Sequence, residues 1–306
     1  MDCVDLFSGC GGMSLGFQNA GFNIKAAFDN WQTAVDIYSA NFDHPAFKYD
    51  LYDAGAVPKI EEYLPSMIIG GPPCQDFSIA GARQRGKRAN LTIRYAEIVR
   101  DVRPEWFVME NVYNIERMDV LPEALEIFRN AGYGLTRRVL NASLCGVPQI
   151  RRRFILVGHL GDKDDFLGEL LDSRLSDKQM TVRDYLGDSL GTQYFYMHPR
   201  NFQRRGVFTI DEPAVTVRGT NRPIPPAYKR HHADKADMFA FHCVRSGRIR
   251  CAHDPSRSKK KDRPSILLRR DERPRNRRRA RHRTRQCPIP SLTCARNDAK
   301  DARAGK

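Results

Sequence analysis

Apolar residues recur in two alternating rhythms along the first half of the chain. Blocks at 3–7, 23–28, 66–70, 105–110, 135–141 and 153–158 are short and mostly apolar, as strands buried in a sheet require. Between them, positions 14–21, 31–42, 93–102 and 120–132 carry helical periodicity, and several of these stretches end at glycine or before proline. Strands alternating with helices predict an α/β fold, a doubly wound, largely parallel Rossmann-like sheet with ligands at the carboxyl ends of its strands. One strand ends abruptly, because Met67-Ile68-Ile69 runs into Gly70-Gly71-Pro72-Pro73. Proline has no amide to give a sheet ladder, so Cys74 is expected at the mouth of that strand on a stiff loop.

The regularity fades after about residue 160. Residues 161–240 mix β-branched residues with Pro, Gly and Arg, which suits a small irregular β-rich lobe built for contact. From about Met238 the composition changes again, and residues 256–286 have neither apolar period, so 241–306 is expected to be a basic tail of low order. The three expected parts are therefore 1–160, 161–240 and 241–306. A net charge of +15 over 306 residues suggests nucleic acid, but almost the whole excess lies after residue 244. Eight cysteines are scattered without a CxxC pair, so no metal is expected and Cys3, Cys10 and Cys145 read as small buried hydrophobes. No apolar run approaches the roughly 20 residues that span a bilayer, and no leader precedes the first strand, so a cytoplasmic protein without a membrane partner is expected.

Candidate chemistry gathers at the expected strand ends. Residues 5–17 read as strand, glycine-rich turn and helix start, a turn whose amides can approach a ligand closely. Such turns serve many nucleotides, and many merely turn the chain. Asp29, at the end of the second strand, can accept both ribose hydroxyls of an adenosine cofactor, and Asp50 follows at a comparable depth. Either could equally be an ordinary helix cap. Cys74 precedes Arg83, Arg85 and Arg88, whose charge would favour a thiolate, although an isolated cysteine is more often structural. Glu110 ends the next apolar strand at the same edge, in surroundings expected to let it hold a proton near neutrality.

Together these residues resemble the C5-cytosine DNA methyltransferases. Residues 5–12 (DLFSGCGG) are similar to the family's first motif, 71–78 (GPPCQDFS) to its nucleophile motif, 110–112 (ENV) to its acid motif and 149–153 (QIRRR) to its Gln-x-Arg-x-Arg motif. The resemblance implies S-adenosylmethionine as methyl donor and a cytosine flipped from double-stranded DNA as acceptor. It further implies attack of Cys74 on cytosine C6, with Glu110 binding N3 and the exocyclic amine. Arg151 and Arg153 would hold the base or an adjacent phosphate, and Gln149 would anchor their loop. Phe7, Gly9 and Gly11 would surround the methionine portion of the cofactor, with Asp29 at the ribose and Asp50 near the adenine. The segment 216–225 resembles the core of a target-recognition region, where Arg218 and Arg222 could contact bases or phosphates.

Two further family motifs, Arg-x-Leu-Thr with its following Glu-x-x-Arg and Phe-Pro, and Gly-Asn-x-x-x-Pro, do not follow residue 235. A tail read out of frame accounts for this, and a genuine basic arm binding phosphates is the alternative. The expected activity is cytosine methylation by a monomer acting as the protective partner of a restriction endonuclease, without a stable complex between them. The alternatives are a DNA-binding remnant without turnover and a transfer RNA methyltransferase. A nicotinamide dehydrogenase would leave Cys74 and Glu110 unexplained.

Overall fold

Five parallel strands make up most of one seven-stranded sheet: β1 (Asp2–Leu6), β2 (Asn23–Asp29), β3 (Ala46–Lys48), β4 (Met67–Gly70) and β5 (Trp106–Val112). Helices α1 (Gly12–Asn19), α2 (Gln32–Ser39), α3 (Ala56–Glu61) and α4 (Leu91–Val102) connect them or lie between them in sequence. After α5 (Val120–Asn130) come β6 (Tyr133–Asn141), the two-residue β7 (Gln149–Ile150) and β8 (Arg152–Leu160). The sheet order is β3-β2-β1-β4-β5-β8-β6, with β8 antiparallel to both neighbours. That reversal follows from chain length, because the short connection from β6 to β8 cannot carry the dozen or more residues of a parallel crossover.

This computed structural model describes residues 1–73, 91–187, 189–197, 205–216 and 231–234, together with the backbone of 241–243 and 249–251. Every strand expected from periodicity up to residue 160 is present, shifted by two residues at most. The added elements β3 and α3 are short, and α3 carries a proline inside its first turn, so neither offers a periodic signal. Among the described residues no helix is long and apolar enough to cross a membrane.

Both sheet faces are covered, which is why the strands read as nearly continuous apolar runs. On one face α4 and α5 bury Tyr95, Phe107 and Phe128, the last two rings stacked with centroids 4.2 Å apart. On the other, Met13 and Phe17 of α1 pack over Cys3, Ile24, Met67 and Ile69. Cys3 is thus a core residue as expected, whereas Cys10 and Cys145 are exposed. Each of those two sits in a turn rather than in a strand, Cys10 beside the glycines after β1 and Cys145 after a short 3-10 turn.

Gly70 ends β4 where it meets β1. A Cβ there would lie 2.6 Å from the Leu6 carbonyl oxygen and 2.8 Å from the Tyr95 ring. Backbone on one side and a fully buried ring on the other leave nothing free to move. Gly70→Ala is therefore expected to cost about 2 to 3 kcal/mol, read as a lower midpoint of urea unfolding.

Beyond β8 lie α6 (Gly168–Ser173), α7 (Val182–Leu186), β9 (Tyr194–Tyr196), β10 (Val207–Thr209) and β11 (Ala214–Val215). Thr181 and Asp184 close a reciprocal capping box on α7. The β9–β10 hairpin buries Tyr196, Val207 and Phe208, and the Asp234 carboxylate accepts the amides of Gly206, Val207 and His231. β11 pairs in parallel with β7, Ala214 opposite Gln149 and Val215 opposite Ile150. A last backbone pair joins β12 (Phe241–Cys243) to β13 (Ile249–Cys251).

Candidate active site

Chain connections run from β1 outward to β2 and β3, then return to β4 on the other side of β1. A crevice is expected beyond the carboxyl ends of β1 and β4, where the strand order reverses. Phe7, Gly9 and Gly11 turn the chain into α1 with φ of 56°, 54° and 88°. The Gly9 amide donates to Asp29 Oδ2 at 2.8 Å and the Trp31 amide to Asp29 Oδ1 at 2.8 Å. Asp29 is therefore no cap of α2, whose N-cap is Trp31 without a side-chain cap bond. Each carboxylate oxygen has accepted one amide and can accept another group. Asp50 is exposed just past β3, the neighbour of β2, with Oδ1 accepting the Tyr52 amide at 3.1 Å.

The two glycines of the turn differ. A Cβ on Gly9 would meet nothing within 4 Å, so that backbone is open to a ligand. A Cβ on Gly11 would collide with the Phe42 ring and touch Tyr38. Gly11 thus lets the turn settle on α2 and the loop after it. The open Gly9 backbone, the Asp29 carboxylate beside it and the Trp31 indole, 63 % exposed, suit an adenosine cofactor with a ribose to bind and a base to stack.

A second group lies across the strand order at the ends of β4 and β5. Gly71 follows β4, and a Cβ on it would come 3.3 Å from Glu110 Oε2. Buried Asn111 donates from Nδ2 to the Pro72 carbonyl oxygen at 3.0 Å while its Oδ1 accepts the Val112 amide. The Gly-Pro-Pro segment is thereby tied to the strand that carries Glu110. Cys74 is two residues beyond Pro72 and lies outside the described residues, as do Arg218 and Arg222.

Glu110 meets a cation instead of the apolar surroundings expected for it. Arg153 Nε lies 2.7 Å from Glu110 Oε1, and the two side chains are about a quarter and a third exposed. Their pairing follows from sheet register: Glu110 opposes Ile155, so Arg153, two residues earlier on β8, is its diagonal neighbour on the same face. Arg151 stands just before β8, where its amide donates to Asn141 Oδ1 and its carbonyl oxygen accepts the Ala142 amide. Burial, and then the Arg153 charge, hold Arg151 below the usual arginine range. Gln149 lies in β7, so its backbone joins the Arg151 loop to β11. Asn111 was not singled out from sequence, although an asparagine inside an apolar strand is a poor strand former that calls for a local reason.

The model of the family described as C-5 cytosine-specific DNA methylase matches residues 1–280. The chain is 55% identical to the Type II methyltransferase M.HindV of Haemophilus influenzae, over 76% of this chain and 78% of that one. It is 48% identical to the Type II methyltransferase M.HgiDI of Herpetosiphon aurantiacus, over 78% of each. Among solved structures, a DNA modification methyltransferase encoded within an E. coli prophage is similar with a TM-score of 0.50 and 26% identity, over 67% of this chain and 57% of that one.

Proposed function

Because this chain belongs to the C-5 cytosine-specific DNA methylase family, whose methyl donor is S-adenosylmethionine, we propose that it methylates C5 of a cytosine flipped out of duplex DNA, with Cys74 as nucleophile. The observation that carries this assignment of roles is the Asn111–Pro72 bond, which ties the loop leading to Cys74 to the strand end bearing Glu110 and its partner Arg153. C5 of cytosine is a poor nucleophile. Addition of the Cys74 thiolate to C6 pushes an electron pair toward C5, and the bonds of Glu110 to N3 and the exocyclic amine stabilise the charge that develops. Once C5 carries the methyl group, loss of the C5 proton to a base expels the thiolate and restores the aromatic ring. Arg153 fixes the Glu110 carboxyl for that contact, Arg151 holds the base or its phosphate, and Gln149 anchors their loop. Arg218 and Arg222 contact the DNA.

Bound at the crevice, S-adenosylmethionine supplies an electrophilic methyl group. Phe7, Gly9 and Gly11 border its methionine portion, Asp29 accepts its ribose hydroxyls and Asp50 lies toward its adenine. Loss of two hydrogen bonds to a charged acceptor is expected to weaken binding by about 10- to 100-fold in Asp29→Ala, measured by calorimetry with S-adenosylmethionine.

The Type II methyltransferase names of the relatives support an enzyme that protects DNA from a restriction endonuclease, and we read it as a monomer in the cytoplasm. Methyl-labelled S-adenosylmethionine offered with mixed-sequence duplex DNA or with transfer RNA tests the substrate. Label in DNA alone is expected, because the lobe at 161–240 is larger than a fixed RNA substrate needs. Label in RNA alone would overturn this reading.

The lack of Arg-x-Leu-Thr and Gly-Asn-x-x-x-Pro motifs after residue 235 supports a tail read out of frame. Were Arg285-Gln286-Cys287 encoded by CGG-CAA-TGC or CGG-CAA-TGT, a shift of one base would read GGC-AAT followed by GCC or GTC, which is Gly-Asn and then Ala or Val. In the same frame the bases shared by Pro290 and Ser291 can encode the proline of Gly-Asn-x-x-x-Pro. Sequencing the gene across the codons for 236–291 decides the matter, and an uninterrupted frame that cannot encode this motif elsewhere would refute it.

A further inference from the structure

Behind the glycine turn lies a line of side chains with no part in the roles above. Asp5, in the middle of β1, is completely buried between Ala27 of β2 and Ile69 of β4. Its Oδ2 accepts the Ser14 hydroxyl of α1 at 2.6 Å, and its Oδ1 has no hydrogen-bond partner among the described residues. The Tyr38 hydroxyl of α2 lies 2.6 Å from Ser14 Oγ and 2.6 Å from His44 Nε2, and His44 is partly exposed. Three short bonds thus connect a buried carboxyl to the surface directly beneath Gly11, which rests on Tyr38.

Each hydroxyl in this line has one hydrogen, so the bonds must all point the same way. With Asp5 ionised, Ser14 donates to Asp5, Tyr38 donates to Ser14 and His44 Nε2–H donates to Tyr38. With Asp5 protonated at Oδ2, every donor reverses and the line ends on a bare Nε2 lone pair. Passing from the second state to the first carries one proton from Asp5 to His44, which releases another from Nδ1 to solvent.

We propose that cofactor binding in this protein is proton-linked: S-adenosylmethionine, settling on the glycine turn, ionises Asp5 and expels its proton through Ser14, Tyr38 and His44. The inference rests on the reading that this chain binds that donor. S-adenosylmethionine carries a sulfonium, an ammonium and a carboxylate, a net charge of +1, whereas its demethylated product is a neutral thioether zwitterion. A cation over β1 stabilises the carboxylate beneath it, so the line favours donor over product.

The groups around this line agree with a proton held on Asp5 before the cofactor binds. Burial pushes the Asp5 carboxyl up to about 7, the Ser14 hydroxyl opposes this and Asp29 on β2 adds to it. Tyr95 of α4, across the sheet from Asp5, is held well above its usual range by burial and then by the Asp5 charge, and so stays neutral. Tyr38 is likewise raised by burial. His44 is lowered by burial against a smaller upward push from Asp43. With its pKa raised above that of the unfolded chain, Asp5 contributes stability that is full below about pH 4 and lost as pH rises through about 7. Binding runs the other way, because a ligand that prefers the ionised form binds more tightly as pH rises through that window and releases a proton there.

Titration calorimetry of the full-length protein in two buffers of different ionisation enthalpy, at about pH 6.5, reads the proton directly. The expected results are a net proton release with S-adenosylmethionine, a smaller one with S-adenosylhomocysteine, and about tenfold tighter donor binding from pH 5.5 to pH 8. Asp5→Asn is expected to abolish the buffer dependence, with any residue due to the ligand's own amino group. Tyr38→Phe keeps the packing but cuts the line, and is expected to move the pH midpoint of binding upward. Binding with equal heats in both buffers, or a release unchanged in Asp5→Asn, would overturn the linkage alone. Failure to bind at any pH would overturn the cofactor reading, and this proposal with it.

Discussion

Cys74→Ala is expected to lower methyl transfer by about four orders of magnitude or more while leaving cofactor affinity within about twofold. Without the thiolate nothing adds to C6, and C5 does not become nucleophilic enough to take a methyl group. Cofactor affinity is a separate matter, because the residues proposed to hold the donor stand at the ends of β1 and β2, while Cys74 follows β4. The two effects separate in a single-turnover assay run beside a binding measurement. A Cys74→Ala protein that still methylated DNA at more than about a hundredth of the normal rate would remove Cys74 from the mechanism.

Arg153→Ala is expected to lower kcat by about 100- to 1000-fold with a much smaller change in KM for DNA. The guanidinium holds Glu110 Oε1 at 2.7 Å, and the sheet register aims both side chains to one face at the strand end. Alanine leaves the carboxyl free to rotate away from the base it must bind. Arg153→Lys keeps the charge but loses the planar fork, so partial recovery is expected. A variant with normal kcat and weakened DNA binding would make Arg153 a phosphate contact instead.

The fold was legible because buried parallel strands leave continuous apolar runs, and the loops between them leave glycine and proline. Short elements such as β3, with three residues and a lysine among them, leave no such trace. Within the site, the positions of Asp29 and Glu110 followed from their places after apolar runs. Their partners did not, because the Gly9–Asp29 bond spans twenty residues and the Arg153–Glu110 pair depends on the register of an antiparallel strand. Sequence placed Glu110 in apolar surroundings because β5 is apolar. The next strand brought the arginine. The line from Asp5 to His44 was equally hidden, since it joins residues of β1, α1, α2 and the loop after α2 that share no motif. Gly11 also has a packing role that its motif does not reveal, because a Cβ there would meet Phe42 and Tyr38.

The most direct measurement offers the protein a mixed-sequence duplex containing 5-fluorocytosine, together with S-adenosylmethionine. After addition at C6 and methylation at C5, the carbon bears fluorine in place of the proton that must leave, so the protein stays bonded to the base. The account predicts a protein–DNA complex that survives denaturation, with the nucleotide attached to Cys74 by mass spectrometry and no complex from Cys74→Ala. No complex from the wild-type chain, or attachment through any other residue, would contradict it.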